Sequence, residues 1–91
     1  MTLPDRLRQE IAARRADLIA LTQDLIRIPT RNPPGENYRE ICDYLDHRLR
    51  ASGFTTELIR ATGAPGDSDR HPRWNIVARR EGARPGACVH F

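Results

Sequence analysis

Two adjacent prolines set the plan of this chain. Pro33 and Pro34 lie in "LIRIPTRNPPGENYREI", Leu25 to Ile41, between two stretches with helical apolar spacing. A proline fixes its own φ and withholds an amide hydrogen, so neither helix can run through this point. On the N-terminal side Leu7, Ile11, Leu18, Leu21, Leu25 and Ile28 recur at steps of three, four or seven. This places them on one face of a long helix, a stripe that Arg14 and Arg15 interrupt. Thr2 with Asp5 forms a capping-box pattern, and Pro4 falls in the first turn, where its missing amide costs no helical bond. Pro29 disfavours the helical region for Ile28, so the helix is expected to stop there. The stripe covers too few clean heptads for a coiled coil and is expected to pack on its own domain.

The second helix is signalled by Asn37 with Glu40 three residues on. Tyr38, Ile41, Cys42, Leu45 and Leu49 then share one face, and Gly53 closes the helix. Arg39 with Asp43 and Asp46 with Arg50 stand four apart on the opposite, solvated face. After Gly53 the period changes to two. "FTTELIR" reads as a strand from Phe54 to about Arg60, and "ATGAPGDSDRHPR", residues 61–73, as a loop. "WNIVARRE" alternates, with Trp74, Ile76 and Ala78 facing one way and Asn75, Val77 and Arg79 the other. "GARPG" is then a turn, and "ACVHF" is expected to be a third strand forming an antiparallel hairpin with the second.

At 91 residues and 38% hydrophobic content the chain holds one domain at most. All 15 basic residues are arginine, interspersed with acids to a net charge of +3. Without a basic block, this pattern argues against a nucleic-acid partner. Cys42 and Cys88 occur in unrelated contexts and follow no secretion signal, which suits a reduced cytoplasm better than a disulfide framework. No segment has the length and apolarity to span a bilayer, so no membrane partner is expected. The third strand holds only five residues up to Phe91, and two helices over three short strands leave sheet edges and part of the first helix uncovered. The expectation is a fragment of a larger parent protein.

The order of these pieces resembles a known family. A helix ending "LIRIPTRNPPGEN", a second amphipathic helix ending near "RASGF", a strand, a loop, "RWNIVARREG" and "ACVHF" look like the N-terminus of the metal-dependent amidohydrolases. That family includes acetylornithine deacetylase, succinyl-diaminopimelate desuccinylase, aminoacylase and glutamate carboxypeptidase. The match spans essentially the whole chain, and "IPTRNPPGE" and "NIVARREG" are its most specific parts. The resemblance implies an α/β fold, with two N-terminal helices packed on the first three strands of a mixed sheet. Residues 1–91 would then be the incomplete start of a zinc-exopeptidase-like catalytic domain, with no second domain present. For the parent it implies two zinc ions, or cobalt in their place, and a small N-acylated amino acid or peptide as substrate. Paired metals suit amide hydrolysis because they depress the pKa of a bridging water and hold the tetrahedral oxyanion. A homodimer of the parent is implied as well. The fragment itself is expected to be inactive and to bind no metal. The competing reading, from another class, is a small self-contained interaction module that docks through the apolar stripe of the first helix.

No residue of this chain is assigned a catalytic or metal-binding role. In the family pattern the first ligands are a histidine and, two residues later, an aspartate, following a glycine at the end of the third strand. His90 is not preceded by glycine, and in register the ligand histidine falls a few residues past Phe91. His90 therefore reads as an ordinary strand residue beside Cys88. Cys42, His47, His71, Cys88 and His90 are enough donors for a zinc site, but their spacing lacks the paired short intervals such a site needs. Asp67, Asp69 and His71 are the candidates in the 61–73 loop for contact with a substrate or cation, against the plainer reading of a solvated loop. The glycines of "GAPGDSD" lack the lysine and hydroxyl of a phosphate-binding loop.

Overall fold

The computed structural model describes every residue from Met1 to Phe91. Its elements, in chain order, are α1 (Leu3–Ala13), α2 (Arg15–Arg27), α3 (Tyr38–Ala51), β1 (Thr55–Arg60) and β2 (Trp74–Arg79). The architecture mixes helices with a small antiparallel sheet, so the α/β class stands in its coarse form, while the sheet has two strands rather than three. No helix is long and apolar enough to cross a membrane.

The expected single long helix is two. The backbone leaves helical geometry at Arg14, with φ −102° and ψ 16°, where the apolar stripe is interrupted. Leu18 N–H still donates to Arg14 C=O at 3.0 Å, so α2 starts at once and the break is one residue wide. The capping box at Thr2 and Asp5 forms, and Ile28 turns extended at ψ 110° ahead of Pro29.

Asn37 stands at the head of α3, but the second capping box does not form. Its φ is +59°, in the left-handed region, and its side chain caps nothing in the helix. Its amide nitrogen donates instead to Pro29 C=O at 2.9 Å, tying the two ends of the proline loop together. The far end of α3 follows expectation. Gly53 takes φ +89°, its amide donates to Arg50 C=O, and Phe54 N–H donates to Leu49 C=O, both at 3.0 Å. These two bonds form a Schellman motif, which satisfies carbonyls that the helix end would otherwise leave open.

β1 and β2 pair antiparallel with Leu58 opposite Ile76 and Thr56 opposite Ala78. Burial alternates along both strands, so the facing of Trp74, Ile76 and Ala78 is as the period-two pattern requires. α3 lies against both strands, and its Cys42, at 5% exposure, is with Gly35 one of the two buried residues. The other sheet face stays open, with Ile59 and Val77 exposed.

The expected third strand is absent. Residues 87–91 have no sheet partner and are exposed throughout. Pro85, which fixes φ and lacks an amide donor, stands where the chain would have to reverse to bring them back to β2. His90 is thus not the strand residue it was expected to be.

The molecule is elongated, with a Cα radius of gyration of 16.4 Å. A compact chain of this length would measure about 12 Å. α1 accounts for part of the difference, since it extends from α2 across the one-residue break and buries no residue.

Candidate functional site

The two stretches that sequence sets apart, the proline loop and the 61–73 loop, meet at one side chain, Arg73. The proline loop is first closed on itself, by Gly35 N–H and Glu36 N–H donating to Arg31 C=O at 2.8 and 2.9 Å. The peptide bonds preceding Pro33 and Pro34 are cis. Asn32 Oδ1 and the Pro34 carbonyl of this loop are the groups that accept from Arg73.

The 61–73 loop is built around Asp67. Ala61 N–H donates to Arg73 C=O at 2.8 Å, which closes the base of the loop next to the sheet. Inside, the Asp67 carboxylate accepts from Arg73 N–H at 2.8 Å, from Gly63 N–H at 3.3 Å and from the Arg60 guanidinium at 3.4 Å. Its side chain is only 5% exposed. The Arg73 amide bond, followed by those from Arg60 and Gly63, holds the Asp67 carboxyl below the usual carboxylate range. Arg60 also reaches Asp69 at 3.3 Å and the Ser68 carbonyl at 3.2 Å. The loop is therefore internally bonded around Asp67, while seven of its thirteen residues stay exposed as the plainer reading of a solvated loop expects.

With its backbone held by Asp67, Arg73 projects its guanidinium across to the proline loop. It donates to Tyr38 Oη and to Asn32 Oδ1, each at 3.1 Å, and to Pro34 C=O at 3.4 Å. Its Cζ lies 5.1 Å from the Tyr38 ring centroid, a cation–π distance. Gly35 and Gly66 both stand against this group. A Cβ at Gly35 would come within 3.1 Å of Arg73 Cζ, and one at Gly66 would collide with Nη2. Arg73 Nε is buried with no hydrogen-bond partner, a cost the other bonds of the guanidinium offset.

Beside this junction an open depression of about 450 Å³ lies between the first turns of α3 and the strap of residues 70–72. Tyr38, Arg39, Glu40, Asp43, Arg70 and His71 line it. Arg39 is committed, with Nε 3.0 Å from Asp43 Oδ1 and Cζ 4.5 Å from the Trp74 ring centroid. The α3 face expected to be merely solvated thus carries a second tie between helix and sheet. Its other charge pair does so too, because Asp46 bonds Arg50 at 3.0 Å and also accepts from the Thr56 hydroxyl on β1.

The sequence candidates do not converge. Cys42 is buried, where the apolar surroundings push its thiol pKa up. His47 is exposed on the same helix, and Cys88 and His90 are exposed in the C-terminal residues outside any element. Of the loop candidates, Asp67 turns inward, Asp69 is exposed beside Arg60, and His71 lines the depression. No three His, Cys, Asp or Glu side chains gather where they would hold a metal ion. The donors of this chain do not form a site for the two zinc ions that the resemblance implies. In the sequence Tyr38 reads only as part of the apolar face of the second helix, and Asn32 and Arg73 only as members of the two motifs; no local pattern announces that Arg73 pairs with Asn32 across 41 positions. Comparison with protein-family models, curated proteins and solved structures gave no match to this chain.

Proposed function

We propose that this chain is the N-terminal segment of the catalytic domain of a metal-dependent amidohydrolase. The reaction of the whole protein is cleavage of the amide bond of an N-acylated amino acid or peptide, of the deacetylase, desuccinylase or carboxypeptidase type. The observation that carries this reading is the Arg73 junction. The two most specific parts of the resemblance are "IPTRNPPGE" and "NIVARREG", and Arg73, one residue before Trp74, bonds Asn32 and Pro34 of the first while leading directly into the second. Motifs that do no chemistry themselves are thereby given a shared task, tying the proline loop and the start of α3 to the sheet.

The distribution of apolar surface supports the same reading. Ile19 and Ile26 of α2 are exposed and, with Leu18, widen the apolar arc of Leu21 and Leu25 to about half of the helix circumference. Helices of that kind belong between layers of a larger core. Ile59 and Val77 leave the outer sheet face in the same condition. On this proposal the metal ligands and substrate pocket come from other segments of the polypeptide, the enzyme is cytoplasmic, and the whole protein forms a homodimer.

A second reading has one observation in its favour. Leu7 and Ile11 of α1 are 53% and 59% exposed, as a helix that docks a separate partner would have them. Sequencing the reading frame past Phe91 separates the two. Glycine, histidine, any residue and aspartate shortly after Phe91 support the hydrolase. A stop codon there, with a folded monomeric product, supports the interaction module.

A further inference from the structure

We draw no further inference here: the strongest candidate, the exposed apolar stripe of Leu7, Ile11 and Leu18 along α1 and the start of α2, is an open helix face, and nothing in the structure shows what covers it.

Discussion

The guanidinium of Arg73 and the ring of Tyr38 hold the proline loop, α3 and the sheet in one unit, through a 3.1 Å hydrogen bond and a cation–π contact at 5.1 Å. Arg73→Ala removes both and leaves the Asn32 and Pro34 acceptors to water. The expected loss is about 1–3 kcal/mol of unfolding free energy, read from the urea midpoint. Tyr38→Phe keeps the ring and loses only the hydroxyl, for about 0.5–1.5 kcal/mol. Arg73→Lys should fare little better than alanine, because an ammonium cannot donate in several directions from one plane. A midpoint unmoved by Arg73→Ala would remove the junction from the account.

The two glycines of the 61–73 loop offer a controlled pair. Gly63 and Gly66 have φ of +77° and +85°, but a Cβ at Gly63 meets open space while one at Gly66 meets Arg73. Gly63→Ala is expected to cost about 1 kcal/mol for the left-handed backbone alone. Gly66→Ala carries that cost plus displacement of the guanidinium, for a total of about 2–4 kcal/mol. Equal losses would mean that Arg73 is not packed against Gly66.

Acid should loosen the loop in a defined window. The Asp67 carboxyl is held below its ordinary value of 3.8 by the Arg73 amide first, and the Asp46 carboxyl by the Thr56 hydroxyl first. A folded-state pKa that is depressed adds stability above the unfolded pKa, and this stability is lost as pH falls through the folded one. Denaturant midpoints should therefore be flat in this respect from pH 8 to about 5 and decline below about pH 4. Asp67→Asn should lower the plateau and flatten the decline. A decline of wild-type steepness in both Asp67→Asn and Asp46→Asn would show that neither carboxylate is responsible.

Thiol labelling reads the packing of α3 directly. Cys42 is 5% exposed on the sheet side of the helix, whereas Cys88 is open to solvent. An aromatic disulfide reagent should modify one thiol per chain quickly under native conditions and the second only on unfolding. Cys88→Ser should abolish the fast phase. A persisting fast phase would place Cys42 at the surface.

Amide hydrogen exchange should rank the elements. An isolated helix as short as α1 is marginal in water, and α1 buries nothing. Amides of Leu3–Ala13 are expected to exchange well before those of β2 and the centre of α3. Ile11→Ala should change global stability by less than about 0.5 kcal/mol, while Leu45→Ala, under the helix, costs about 1–3 kcal/mol. Strong protection in α1 would show cover that this structure does not contain.

The features legible in the sequence are those set by neighbours in the chain. Pro29 ends α2 and Gly53 ends α3 through local backbone chemistry. The alternation from Trp74 to Arg79 places inward and outward faces because strand period is geometric. The misses lie where a distant or competing partner decides. Asn37 is drawn from its capping role by the Pro29 carbonyl eight residues back. The break at Arg14 occurs where the stripe lacks apolar residues to hold the helix to a surface. "ACVHF" has strand propensity, yet propensity without a paired neighbour does not make a strand. The candidate site was legible only as two loops. That Asp67 folds one of them and Arg73 binds it to the other depends on contacts no periodicity announces.

If, as proposed, this segment belongs to a metal-dependent amidohydrolase, the whole protein should release the free acid from N-acylated amino acids. The polypeptide encoded by the whole reading frame, loaded with zinc or cobalt, is incubated with N-acetyl and N-succinyl amino acids, and release of the free acid is measured. Release that is lost on chelation and restored by metal is expected, with none from residues 1–91 alone. Stoichiometric zinc binding and amide cleavage by residues 1–91 alone would contradict the proposal, and so would a folded whole protein that neither binds metal nor releases acid from any of these substrates.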